Sequence, residues 1–261
     1  MVHPAEFYTG IVPEVYGALR GTHFGTDRYR TFIEDEGSPA LELGCGDDGP
    51  FFDLANEGFD VEGVDSSADM VRGGRQRLES HGLTTPIHHQ RMEDLNLDRQ
   101  FASIYLAGPT FNLLADDVTA LRALHGIAKH LFPGGTALVP LWTPPPTAPE
   151  QYGLLRTAKV GEVAARYVVE SEDYDVANRT RTTTVRYELG SGAAAIVEHR
   201  DWTIHWYEQD RFRRLAADAG LSVSLAVIDS EQVEATLKRQ TDKVFRRAKA
   251  QDATNQLDGS A

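Results

Sequence analysis

Leu41-Glu42-Leu43-Gly44-Cys45-Gly46-Asp47-Asp48-Gly49 is the stretch on which the reading of the chain turns. A strand-like run from Pro39 to Leu43 enters it, and a helix-like run from Pro50 to Glu57 leaves it. Gly44 and Gly46 carry no Cβ, so the backbone and its N–H groups can approach a ligand closely. Those donors, with the N-terminus of the next helix, suit a polar, negatively charged group. Gly44-x-Gly46-x-x-Gly49 also spells the dinucleotide pattern, which alone does not say which cofactor is held.

Working outward, strand and helix signals alternate, as expected for a parallel sheet with helices on both faces. Leu41–Leu43 reads as a first strand and Asp60–Asp65 as a second. Ser66 or Ser67 can cap a helix running to about Ser80, with His81-Gly82 ending it. Ile87–Met92, Phe101–Ala107 and Thr136–Trp142 read as three more strands, with a helix over Val118–Leu131 stopped by Pro133-Gly134-Gly135. Pro144-Pro145-Pro146 and Pro149 then break the chain. Tyr167–Tyr174, Thr180–Leu189 and Ala193–Tyr207 follow as strand-like runs, an inserted antiparallel meander. Asp210–Ala219 reads as a helix, Leu221–Ile228 as a last strand, and 230–249 as a charged helix. The fold class expected is α/β, a Rossmann-like doubly wound, mostly parallel sheet with an antiparallel lid. Its parts are a helical cap over 1–37, a core over 38–150 and 208–250, a lid over 151–207 and a frayed tail over 251–261. In the cap, Val12, Val15, Tyr16 and Leu19 share a helical face, which covers either the edge of the sheet or the cofactor site.

Composition bounds the function. A chain of 261 residues accommodates one large α/β domain with an insertion. The net charge of -13 argues against a broad nucleic-acid footprint. One cysteine forms no intrachain disulfide, which suits a reducing cytoplasm. The first residues lack the basic-then-apolar pattern of a signal peptide, and no apolar run is long enough to cross a bilayer. The partner expected is a small-molecule acceptor rather than nucleic acid or membrane, with a homodimer as one arrangement.

Four positions address the cofactor. Asp65 stands 19 residues beyond Gly46, where a carboxylate can accept both hydroxyls of an adenosine ribose, which NAD and S-adenosylmethionine both offer. Glu42 places a charge two residues before the first glycine, where dinucleotide folds usually have an apolar residue and where it can help hold an ammonium. Met92-Glu93-Asp94 offers an apolar side chain for an adenine face and polar groups for its edge. Pro133-Gly134-Gly135 is the fourth mark.

Glu42-Leu43-Gly44-Cys45-Gly46, Gly63-Val64-Asp65-Ser66-Ser67-Ala68-Asp69-Met70, His89-Gln90-Arg91-Met92-Glu93-Asp94-Leu95 and Leu131-Phe132-Pro133-Gly134-Gly135, in this order, resemble the class I S-adenosylmethionine-dependent methyltransferases over roughly residues 39–142. Gln90-x-Met92, Trp142-x-x-Pro145 and the meander resemble small-molecule N-methyltransferases, including those acting on nucleotide-linked aminosugars. Arg91 and Ala102 stand where that family often has aspartate. The resemblance implies that Gly44 and Gly46 approach the methionine part and Asp65 the ribose. It puts Ser66 and Met70 near the adenine, with Met92 and Glu93 opposite, and Leu106 and Ala107 facing the sulfonium. Tyr8 or Tyr16 would close the pocket. S-adenosylhomocysteine would be the product.

For the acceptor, Phe111 and Trp142 lie at the exits of two core strands, and Trp202, His205, Trp206 and Tyr207 cluster in the meander. These are the candidate acceptor contacts, with His199 and His205 able to move a proton. Each also reads as a core or solvated strand residue, and Cys45 as a small packing residue. His88-His89 points to opposite faces of a strand and makes a poor metal pair. An NAD-dependent oxidoreductase and a non-catalytic S-adenosylmethionine-binding regulator are the competing readings.

Overall fold

A computed structural model describes residues 7–20 and 25–240. In chain order these form α1 (Val12–Arg20), α2 (Thr26–Glu36), β1 (Ala40–Leu43), α3 (Pro50–Asn56), β2 (Val61–Asp65), α4 (Ala68–Ser80), β3 (Ile87–His89), β4 (Phe101–Tyr105), α5 (Asp117–His130) and β5 (Leu131–Trp142). β6 (Arg156–Val160), β7 (Val163–Asp175), β8 (Thr180–Leu189) and β9 (Ile196–His205) come next. Then follow α6 (Gln209–Asp218), β10 (Leu221–Val227) and β11 (Gln232–Arg239).

The main sheet has the order β10-β11-β5-β4-β1-β2-β3, with the expected doubly wound, mostly parallel arrangement. Only β11 runs antiparallel to its neighbours β10 and β5. β1 is buried along its whole length, as a central parallel strand covered on both faces must be. Its period of two sends Leu41 and Leu43 to the α5 and α6 side, and Ala40 and Glu42 to the side of α2 and α3. Local caps fix the helix starts: Ser67 accepts from Met70 N–H at 3.2 Å, and Asp116 from Thr119 N–H at 2.7 Å.

Residues 230–249 were expected as a charged helix, and the structure corrects this. Gln232–Arg239 is a strand with Ala235 and Leu237 fully buried. Val233, Ala235 and Leu237 alternate with Glu234, Thr236 and Lys238, a period of two that charge content masked. Residues 241–249 of that helix, and the tail over 251–261, lie outside the described residues. β5 begins at Leu131, ahead of the Pro-Gly-Gly stop, because Phe101 of β4 already pairs with it there. β3 ends at His89, and 92–94 form one tight helical turn.

The inserted sheet has the order β6-β7-β8-β9, one strand more than the sequence suggested. α1 packs on this sheet rather than on the edge of the main one: Val12 and Val15 meet Ala165, Val169, Val185 and Tyr187. Three groups join the insertion to the core. Glu172 accepts from Thr147 N–H and Oγ1, and Arg181 donates to Pro145 O at 2.9 Å. Asp117 accepts from Arg179 and Arg211. Asn112, fully buried, donates to Trp142 O at 2.8 Å and His205 O at 2.9 Å while its oxygen accepts Trp142 N–H at 3.0 Å.

Asn112→Ala removes every one of these bonds and leaves three backbone groups to find new partners. It should lower unfolding free energy by about 2–4 kcal/mol, on the scale of buried polar groups left unsatisfied. Chemical denaturation reads this directly, and an unchanged midpoint would contradict the clamp.

Candidate active site

The end of β2 delivers Asp65 to the glycine turn. Its Oδ2 accepts Gly46 N–H at 2.9 Å and its Oδ1 accepts Ser67 N–H at 2.8 Å. Burial pushes the carboxyl above its ordinary range, and the two N–H donors pull it back only in part. A carboxylate accepts about four hydrogen bonds, so each oxygen retains a lone pair for a hydroxyl.

The glycines act differently from the sequence expectation. Gly44 and Cys45 N–H both bond to Val64 O, at 2.7 and 3.0 Å, and Gly46 N–H goes to Asp65. The first three donors of the turn therefore hold β2. What the glycines supply is space. Gly44 has φ +76°, and a Cβ there would fall 2.5 Å from the Thr110 methyl. A Cβ on Gly46, φ +62°, would meet no protein atom closer than 3.9 Å and would fill the cradle instead. Cys45 is buried against Gly63, whose missing Cβ leaves room for its sulfur, and burial pushes its thiol well up. It is a packing residue.

A cavity of about 400 Å³ opens above this turn, within the range of cofactor sites. Glu42, Gly44, Gly46, Asp65, Ser66 and Met70 lie on its wall. So do Met92, Glu93 and Ala107, and Tyr8 and Tyr16 close it from the N-terminal segment. Leu106 does not reach it: along the end of β4, Tyr105 and Ala107 face the cavity side, while Leu106 turns into the opposite core. Glu42 is 1% exposed and stands beside Tyr105, whose phenol is pushed well up by burial and then by that carboxylate.

Of the six acceptor candidates, Trp202 lies on the cavity wall and the other five fall outside it. Phe111 is fully buried against Tyr207 and Phe212. Trp142 lies under the Arg181 guanidinium at 4.8 Å and donates to Glu231. Trp206 stacks on Tyr174, and His205 packs edge-on to Tyr207. The pleat explains it: Trp202 and Ile204 share the face of β9 that meets the cavity, and His205 points the other way. Likewise one tight turn aims Thr110 and Leu113 at the cavity and Phe111 and Asn112 inward. Thr110, Leu113 and Ile204 were not singled out as acceptor contacts; for β9, following the parity of Trp202 would have found Ile204. His88 bonds Glu62 and His89 bonds Ser66 O, and no metal-holding cluster occurs among the described residues.

The wall carries six carboxyl side chains, Glu42, Asp47, Asp48, Asp65, Glu93 and Asp94, against two guanidinium groups, Arg91 and Arg122. Such a site suits a cofactor bearing a sulfonium and an ammonium and disfavours the diphosphate of NAD. Residues 40–135 match the family described as Methyltransferase domain. The chain is an S-adenosylmethionine-dependent methyltransferase enzyme. A dTDP-3-amino-3,6-dideoxy-alpha-D-glucopyranose N,N-dimethyltransferase of Streptomyces fradiae is 26% identical to this methyltransferase over 84% of this chain and 87% of that one. The cypemycin N-terminal methyltransferase of a Streptomyces species is 33% identical, over 40% of this chain and 42% of that one. The sugar N-methyltransferase KedS8 from Streptoalloteichus has the same fold, with a TM-score of 0.70 at 18% identity, over 85% and 90% of the two chains.

Asp65→Ala should weaken S-adenosylhomocysteine binding by roughly 1–3 kcal/mol. Because the carboxylate also fastens the turn, the melting temperature should fall as well, more than a strand-end position alone suggests. Calorimetry and thermal unfolding check both, and an unchanged dissociation constant would move the ribose elsewhere.

Proposed function

We propose that this methyltransferase methylates the nitrogen of a small-molecule amine, of aminosugar type, held between the glycine turn and the inserted sheet. The observation that carries this is the enclosure of the cavity: Tyr8 and Tyr16 on one side, and Trp202 and Ile204 on the other, cover the space above the cofactor cradle. The acidic wall also repels a polyanion. The Streptomyces fradiae relative, named for an amino sugar, supports the same reading. In this reading Glu42 faces the ammonium of the methionine part, Asp65 the ribose, and Met70, Met92 and Glu93 the adenine. In the same reading the enzyme works in a reducing cytoplasm, which its single cysteine suits.

Bound S-adenosylmethionine supplies a methyl group already activated on a positive sulfur. The protein's part is to bind, orient and exclude water. Tyr8 is half-buried and edge-on to Tyr16, and its phenol is pushed well above the ordinary value by burial first and Tyr16 second. It stays protonated near neutral pH and acts as a hydrogen-bonding wall, not a base. Burial lowers the His205 imidazole, so it is neutral, but its ring faces away from the cavity. The acceptor amine therefore reacts through its own neutral form.

Incubation with methyl-labelled S-adenosylmethionine and a panel of small amines, nucleotide-linked amino sugars among them, should label nitrogen; tRNA and unrelated proteins should stay unlabelled. Labelled RNA with no labelled amine would overturn the proposal. The rate at subsaturating acceptor should rise with pH until the acceptor amine is deprotonated, and His205→Gln should keep the shape of that profile. A lost alkaline limb in His205→Gln would assign the proton to histidine instead.

A further inference from the structure

Beside the methyl-transfer cavity, under α1 and against the inserted sheet, lies a second chamber of about 170 Å³. Phe7 and Leu19 wall it from the N-terminal segment, and Tyr167, Val185 and Tyr187 from β7 and β8. Tyr16 and Trp202 line both spaces, so the chamber adjoins the side where the acceptor enters and not the far side of the cofactor. Its chemistry differs sharply from its neighbour's. Among the described residues no carboxylate lines it, and its one charged side chain is Arg156, whose guanidinium lies 5.9 Å from the Tyr167 ring centroid. Burial holds the Tyr187 and Tyr167 phenols protonated.

Trp202 is braced in place. The Trp142 ring lies 6.4 Å from it on centroids, Phe7 also 6.4 Å, and the Arg181 guanidinium 5.9 Å from its centroid. Yet its Nε1–H is shielded from solvent with no acceptor among the described residues. That N–H has no accessible surface on the chamber either, so the indole offers a ligand there its ring. An apolar aromatic space with a few placed polar groups is the usual make-up of a small-molecule subsite.

We infer that this chamber is a second acceptor subsite. It takes an apolar ring carrying one hydrogen-bond-accepting oxygen, carbonyl or singly anionic, joined to the amine that is methylated in the main cavity. The inference rests on the small-molecule reading above and adds what the remote part of that molecule looks like. The ring stacks among Tyr16, Tyr167 and Trp202, and its oxygen meets the Arg156 guanidinium.

The test uses naphthalene-1-sulfonate, an apolar ring with one anion, and full-length protein saturated with S-adenosylhomocysteine so that the cofactor cradle is filled. The chain has three tryptophans, hence three indole N–H cross-peaks in a nitrogen–proton correlation spectrum. Trp202→Phe identifies the one that matters. On titration the Trp202 peak should shift, while S-adenosylhomocysteine stays bound. Val185→Phe, which fills the chamber from the sheet, and Leu19→Phe, which fills it from the helix, should each weaken probe binding about tenfold or more, with cofactor affinity held. Two variants on different elements guard against one failing to fold. No shift at Trp202, a shift that survives both filling variants, or displacement of S-adenosylhomocysteine would each overturn the subsite. Transfer to amines is a separate readout: probe binding without any transfer leaves the chamber standing and sinks the amine reading, and transfer without probe binding does the reverse.

Discussion

The Asp65 carboxylate holds two loops at once. Through Gly46 N–H it fixes the turn after β1, and through Ser67 N–H it fixes the start of α4. Both loops border the cavity, so the shape of the cofactor site depends on one buried acid. The arrangement costs desolvation, which shows as the raised carboxyl. That cost is offset by two charge-assisted bonds, each stronger than a neutral pair. Val64 O adds the second tie, accepting from both Gly44 and Cys45. With the donors turned toward β2, what remains for a ligand is the bare Cα surface of the glycines and the acceptor capacity of Asp65.

The same corner anchors the cover. Ser67 Oγ–H donates to Tyr8 O, and Gly10 N–H donates to Asp69 at 2.9 Å, so the N-terminal segment is tied to the first turn of α4. Gly10 is left-handed at φ +66°, and a Cβ there would fall 2.5 Å from the Glu198 carboxylate of β9. Cofactor loop, N-terminal segment and inserted sheet thus meet within a few residues of one another. Filling the cradle and closing the acceptor side are mechanically linked, which is how such a site excludes water from an activated methyl group.

Much of this was legible in the sequence, and what was missed has physical causes. The βαβ alternation gave the sheet, and the spacing from Gly46 to Asp65 placed that acid beside the turn because the length of one helical crossover is constrained. Glu42 reached the cavity as its strand position implied, and Met92 reached it from a tight turn beyond the end of β3. β11 was misread because Glu234, Lys238 and Arg239 suggested a solvated helix, whereas only every second residue is buried in a strand. The aromatic cluster of β9 was read by composition and not by parity, so Trp202 was grouped with His205 and Trp206, which lie off the cavity wall, and Ile204 was passed over. Phe111 was read as cavity-facing, but its neighbours Tyr207 and Phe212 are nearly a hundred positions away in the chain and only the tertiary fold brings them together. The destination of the Gly44–Gly46 N–H groups likewise needed the register of β1 on β2.

The central claim is that the turn at 44–49 and the loop at 65–70 together form the cradle for S-adenosylmethionine. Hydrogen exchange with and without S-adenosylhomocysteine tests it most directly. Amides of both segments should gain protection together, and NAD at the same concentration should protect neither. Protection confined to another part of the chain, or an equal response to NAD, would contradict the account.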